Sequence, residues 1–200
     1  MDEALRQTTA RGIDGWSLRE VAAAVGVSHT APYHHFEDRT DLVCALGSEG
    51  LDLMDLRMAE RQAAASGDPK EQLLAIGLAY VTFAVDRPDY YAAIGAMASL
   101  PTDSEPTGEA PPEPGATWQR LLDAVVGCQH ANRLPAGDPV VIAVSLWSLV
   151  HGLAGLWMAG PLRLLPHSGG GLVPLAERVL RASVDSMNPG ARGAFQGESS

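Results

Sequence analysis

The sequence predicts an all-α chain, and three observations carry that prediction. Apolar residues recur at three- and four-residue spacing from end to end, the repeat that lines up side chains on one face of a helix. Alternating apolar and polar runs rich in β-branched residues, the mark of strands, are scarce. Helix-starting signals also punctuate the chain: Ser17 three residues before Glu20, Asp38 before Arg39, and Asp138 before Pro139.

Each element follows from those signals in order. Ser17 and Glu20 form a capping box that opens a helix over Leu18 to Val25, and Gly26 is placed to end it in the left-handed region. Ser28 can cap a second short helix reaching His34 or His35. Asp38 caps a long helix from Arg39 to about Ala65, which Ser66-Gly67-Asp68-Pro69 breaks. Pro69 suits the first turn of a helix to about Arg87. It has Leu73, Ile76, Tyr80 and Phe83 on one stripe and Leu74, Leu78, Val81 and Val85 on another, so burial on most sides is expected. Pro88 starts a short helix carrying Tyr90, Tyr91, Ile94 and Met97. Leu100 to Gly115, with five prolines and four acidic residues, reads as a loop. Trp118, Leu121, Leu122 and Val125 mark a helix to about Arg133. Asp138-Pro139 caps the most apolar helix, Val140 to Ala159, and a last amphipathic helix spans Leu172 to Met187. The tail after Asn188-Pro189-Gly190 reads as disordered.

Composition narrows the function classes. The chain of 200 residues is 46 % hydrophobic and 19 % charged, which fits one sizeable core or a small module joined to a larger one. Cys44 and Cys128 lie far apart with no Cys or His at metal-ligand spacing, which argues against a disulfide framework or a metal site and for a reducing, cytoplasmic setting. The first twenty residues are too charged for a secretory signal. A formal net charge of -10 excludes a general nucleic-acid coat protein, whose affinity would come from neutralising phosphates. Over residues 1–45, four arginines face seven acidic residues, so any nucleic-acid binding there must be local and geometric. No cofactor is implied.

Two short helices joined by a tight Gly-containing turn can cross steeply and leave the second free to enter a major groove, and residues 17–36 have that layout. Leu18, Val21, Ala22, Val25, Val27 and Tyr33 or Phe36 would form the small core that fixes the angle, leaving polar Ser28, His29, Thr30 and His34 at the outer end. The run Ser17-Leu18-Arg19-Glu20-Val21-Ala22, then Gly26-Val27-Ser28, Tyr33-His34-His35-Phe36 and Asp38-Arg39, resembles the signature of TetR-family regulators without a gap. The resemblance implies a helix-turn-helix DNA-binding domain at 1–46, a helical-bundle ligand-binding and dimerisation domain at 47–188 and a tail at 189–200, with nine or so helices. It makes Tyr33 and Arg39 phosphate contacts and His29, Thr30 and His34 base readers, with Ser17 and Ser28 completing the DNA-binding set. Arg39 as a solvated surface charge is the plain alternative. The family's first helix is usually longer and preceded by basic residues, whereas Met1 falls inside it here; Pro32 stands where an aliphatic residue is common.

Trp147-Ser148-Leu149-Val150-His151-Gly152-Leu153 is similar to the Trp-His-Gly pattern of one class of TetR-type C-terminal domains. Trp147 and His151, four apart, share a helix face, and Gly152 and Gly155 allow another helix to come close. One reading makes His151 hydrogen-bond a ligand among Tyr80, Phe83, Met97, Trp118 and Trp147; the other makes it a histidine satisfied by a neighbouring helix. The helix over 140–160 is long enough to cross a bilayer, but Ser145, Ser148 and His151 interrupt it and no polybasic segment adjoins, so a buried bundle helix is expected and no membrane partner. Ser148 and His151 have no acid or oxyanion hole that a motif would place, so enzymatic chemistry is not expected. The partners implied are a double-stranded operator, a small apolar or amphipathic effector and a second copy of the chain. A rival keeps the fold as a small-molecule or protein-binding module without DNA.

Overall fold

The computed structural model describes residues 1–100, 115–165 and 170–188, and every described element is helical or a turn. The helices are α1 (Asp2–Arg11), α2 (Leu18–Ala24), α3 (Arg39–Ala64), α4 (Pro69–Asp86), α5 (Pro88–Ala98), α6 (Ala116–His130), α7 (Pro139–Met158) and α8 (Leu172–Met187). Single 3₁₀ turns occupy Ala31–His34 and Pro161–Leu164. The expected tail at 189–200 and nearly all of the expected loop at 100–115 lie outside the described residues.

The capping residues do what their chemistry allows. Ser17 Oγ accepts from the Glu20 N–H at 3.3 Å, Asp38 Oδ1 from the Asp41 N–H at 2.9 Å and Asp138 Oδ1 from the Val140 N–H at 2.9 Å, each satisfying a donor that a helix start leaves orphaned. Gly26 takes φ 74, the left-handed conformation that lets the chain turn after α2.

The chain divides into two compact units, Met1–Leu53 with Asp86–Glu113, and Met54–Val85 with Pro114–Ser200. In the first, α1 packs on α5 and α2 around buried Ala4, Leu5, Trp16, Leu18 and Ala22. There α5 also crosses the N-terminal half of α3 closely. A Cβ at Gly47 would lie 2.9 Å from Met97 Cβ, and one at Gly50 3.1 Å from Ile94 and Tyr90. In the second unit α7 packs between α6 and α8. Leu180 of α8 reaches so close to α4 that a Cβ at Gly77 would lie 3.0 Å from it. Ion pairs fasten the ends: Lys70 with Asp185, and Arg181 with Glu71 at 2.7 Å.

Four expectations need correction. The helix expected after Ser28 is only the 3₁₀ turn Ala31–His34. Pro32 disfavours α conformation at Ala31, and the Ser28 hydroxyl engages the Thr30 N–H at 3.2 Å in place of a helical partner. So short an element covers little of α2, and Val25, Val27 and Tyr33, expected in the small core, are exposed, with Val21 and Phe36 half-buried. On α4 the second stripe is incomplete, with Leu74 and Val81 buried, Leu78 half-buried and Val85 exposed. On α7 burial holds for one stripe, Ala143, Leu146, Val150, Leu153 and Ala154, while Val140, Val141, Val144, Leu156 and Met158 are exposed.

Candidate nucleic-acid interface and aromatic cluster

Within the first unit the 3₁₀ turn and its flanks present a polar outer edge. Ser28, His29, Thr30, Tyr33 and His34 are all exposed. Ser28 and Thr30 bond to each other through their hydroxyls at 2.6 Å, and the Ala31 N–H donates to the Ser28 carbonyl at 2.9 Å. This local turn fixes the entry to the Tyr33 segment without an α-helical ladder. Ser17 is placed differently: besides capping α2 it donates to the Glu20 carboxylate at 2.7 Å. That bond is the main reason the Glu20 carboxyl is held below its ordinary range, with Arg11 at 3.0 Å adding to it.

Arg39 at the start of α3 turns inward onto its own chain. Its Nη2 donates to the Ile13 carbonyl and to Asp14 Oδ1, the latter at 3.2 Å, and its guanidinium lies 4.9 Å from the centre of the Trp16 ring. Trp16 is 4 % exposed, and its Nε1 donates to the Thr8 hydroxyl at 2.8 Å, which in turn donates to the Ala4 carbonyl at 2.8 Å. Sequence reading missed these partners of Arg39. The available signal was Trp16 itself, the first aromatic residue of the chain, placed one residue before a helix cap.

The second unit gathers four of the six expected effector residues. The Tyr80 hydroxyl and His151 Nδ1 are 2.8 Å apart, sharing one hydrogen between α4 and α7. Trp147 stands edge-on to both Trp118 of α6, at 6.1 Å between ring centres, and His151, at 6.3 Å. Tyr80 is buried, whereas Trp147 and His151 are exposed. Rings of this kind offer apolar faces with a polar tip at one end, the chemistry that seats an amphipathic molecule. Phe83 is a core residue, 2 % exposed, with the Arg57 guanidinium 5.9 Å from its ring centre. Met97 packs in the first unit, its Sδ 3.8 Å from the Ser48 hydroxyl. Among the described residues no group of His, Cys, Asp and Glu is arranged to hold a metal ion.

Residues 73–184, more than half the chain, match the family described as "Tetracyclin repressor-like, C-terminal domain", and residues 1–46 match "Bacterial regulatory proteins, tetR family". The chain belongs to the TetR family of transcriptional regulators. Within that family it is 38 % identical over 72 residues to the HTH-type transcriptional regulator AcrR of Shigella flexneri, a match spanning 34 % of this chain and 32 % of AcrR. A protein of unknown function from Rhodococcus sp. RHA1 shares the architecture at 28 % identity and TM-score 0.74, covering 94 % of this chain and 91 % of that one. The structure of AibR in complex with isovaleryl coenzyme A and operator DNA superposes with TM-score 0.62 at 20 % identity, covering 94 % and 95 % of the two chains, and shows the shared fold.

On this TetR-family chain α7 is, among the described residues, the one helix long and apolar enough to cross a membrane by composition. One stripe of it is core of the second unit. The opposite face carries Val141, Ser145, Ser148, Gly152 and Gly155, and a Cβ at either glycine would meet nothing within 4 Å.

Proposed function

We propose that this TetR-family regulator is a ligand-responsive repressor that binds a pseudo-palindromic operator as a dimer and is released by a small apolar or amphipathic effector. The observation that carries the DNA half is the exposed row Ser28, His29, Thr30, Tyr33 and His34 on the 3₁₀ turn of the family's N-terminal module and the segment leading into it. His29, Thr30 and His34 would meet base edges, and Tyr33 with Arg39 would hold phosphates on either side.

The effector half rests on the cluster of Tyr80, Trp118, Trp147 and His151. A ligand bound there with different affinity in two arrangements of the chain would shift their populations. Two reading heads moved out of register with successive major grooves would then lose the operator. AibR offers a parallel, having been captured with both an acyl coenzyme A and operator DNA.

The second copy is supported by α7. Its exposed face would leave Val140, Val141 and Val144 in water unless another chain covers them, and a two-fold pairing supplies the second head that a palindrome requires.

A second reading, the same fold binding a small molecule or protein without DNA, draws support from the head's seven acidic residues against four arginines in 1–45. Selection of bound duplexes from a random pool at moderate salt separates the two. Enrichment of a palindrome, lost on adding an effector, supports the repressor, and equal retention of all sequences overturns it.

A further inference from the structure

In a head of net negative charge, one cation is held ready and shielded. Arg39 has three neighbours on the segment between α1 and α2: the Ile13 carbonyl, the Asp14 carboxylate at 3.2 Å and the Trp16 ring at 4.9 Å. They are not equivalent. The Ile13 carbonyl is fixed backbone, and the Trp16 ring is buried and pinned through Thr8 to Ala4. Both hold the guanidinium in place whether or not it has a counter-ion. The hold is strong enough that Arg39 Nε stays buried without a partner, where an unconstrained arginine would swing out to water. Asp14, in contrast, has a side chain 92 % exposed. A carboxylate so fully hydrated contributes little to the fold, but it occupies the position that another anion would take.

We infer that Asp14 is an internal stand-in for a DNA phosphate. It neutralises Arg39 in the unbound head and is displaced by a backbone phosphodiester on binding, while Ile13 and Trp16 keep the guanidinium aimed. The inference rests on the DNA-binding reading and deepens it. Asp14 imposes a cost on every duplex alike, because phosphate contacts carry no sequence information. Combined with the acidic surroundings, this lowers retention on non-specific DNA and leaves selectivity to the row around Thr30. The exchange is cheap for the protein because the released Asp14 returns fully to water, and Arg39 needs no new rotamer to receive the phosphate.

The test is a double-mutant cycle on the full chain, with dissociation constants for the selected operator and a scrambled duplex measured by fluorescence anisotropy. Asp14→Asn should tighten both duplexes about two- to fivefold for each head engaged, the range expected from releasing one exposed ion pair, with the gain shrinking as salt rises. Glu37→Gln removes the same charge from an exposed residue of the head and measures the general field effect, which should be smaller. In an Arg39→Gln background the gain from Asp14→Asn should fall to that of Glu37→Gln. Circular dichroism of each variant checks that the head stays helical. Asp14→Asn gaining equally with and without Arg39, or no more than Glu37→Gln, overturns the inference while leaving operator binding intact. If the unmodified chain retains no duplex at all, the DNA-binding reading falls and this one with it.

Discussion

The Tyr80 hydroxyl lies 2.8 Å from His151 Nδ1, joining the buried face of α4 to the edge of the uncovered face of α7. The bond gives the imidazole a partner on a neighbouring helix, as one of the two sequence readings of His151 expects. Tyr80→Phe keeps the packed ring and deletes the hydroxyl, so stability should drop by about 1 kcal/mol or less. Enhancement of the amphipathic dye 1-anilinonaphthalene-8-sulfonate and its quenching of tryptophan emission should weaken severalfold if the four rings form its site. Dye binding unchanged in both Tyr80→Phe and Trp147→Ala would place the effector elsewhere.

Helix ends were legible in the sequence wherever a short polar side chain could satisfy an orphaned backbone donor, as at Ser17, Asp38 and Asp138. The 3₁₀ turn was not, because Pro32 and the Ser28–Thr30 hydroxyl pair act against a helix that the spacing of Val27, Tyr33 and Phe36 favours. Tyr80, Trp118, Trp147 and His151, which the structure brings together, were readable only as members of a set of six candidate positions on helices. Phe83 and Met97 shared that spacing and are placed elsewhere, since helical periodicity says which face is apolar and not which helix it meets. Arg39 was visible only as a cation after a cap; its ties to Ile13 and Asp14 span 26 and 25 residues of sequence and no local pattern encodes them.

Arg120 of α6 grips Asp55 of α3 with two parallel bonds of 2.8 and 2.9 Å and reaches Gln62 at 3.2 Å. Both partners are about three-quarters or more buried, so the pair is less screened than a surface bridge. Asp55→Ala should cost about 1–3 kcal/mol, leaving the guanidinium partly buried without its carboxylate. Urea denaturation checks the value, and a change within a few tenths of a kcal/mol would show the pair to be ornamental.

Burial pushes the Cys128 thiol up to about 11, with Asp68 adding to the shift. For an acid whose folded value is raised, the unfolded chain ionises first. The stabilisation is therefore complete below the ordinary thiol value of about 8.5 and is lost as pH rises towards 11. Between pH 7.5 and 9.5 the unfolding free energy should fall by about 1 kcal/mol from this group, and Cys128→Ser should flatten that slope while lowering the whole curve. In the native state Ellman's reagent should spare Cys128, which is buried, and label it only in denaturant. Rapid native labelling of Cys128 would show that the α6 core opens readily.

For the proposed dimer, the faces of α7 and α8 that the single chain leaves uncovered are the candidates for its seam. On α8, Leu172, Ala176, Leu180 and Val184 are buried within the chain itself and belong to the intrachain core. Leu175 and Val179 remain half-buried beside it. On α7, Val141 is 62 % exposed and lies in one row along the helix with exposed Ser145, Ser148 and Gly155 and half-buried Gly152. Small residues in that row would let a symmetry-related α7 approach closely, with Val140, Val144 and Leu156 along its edges. Val141→Glu leaves every buried side chain of the monomer untouched, yet on pairing it would bury two unpaired carboxylates near the two-fold axis, costing several kcal/mol. Sedimentation should show a helical, folded monomer with operator affinity reduced by at least tenfold, since a single head loses the second half-site. A Cβ from Gly152→Ala meets no neighbour within 4 Å in the chain; the substitution should raise the thermal stability of the monomeric Val141→Glu background, alanine being the better helix former by about 0.5–1 kcal/mol, and weaken the dimer of the parent. Val179→Glu, at the half-buried flank of α8, should weaken association less than Val141→Glu if the α7 row forms the centre of the seam. A Val141→Glu protein that sediments as a dimer and holds its operator undiminished would remove α7 from the interface.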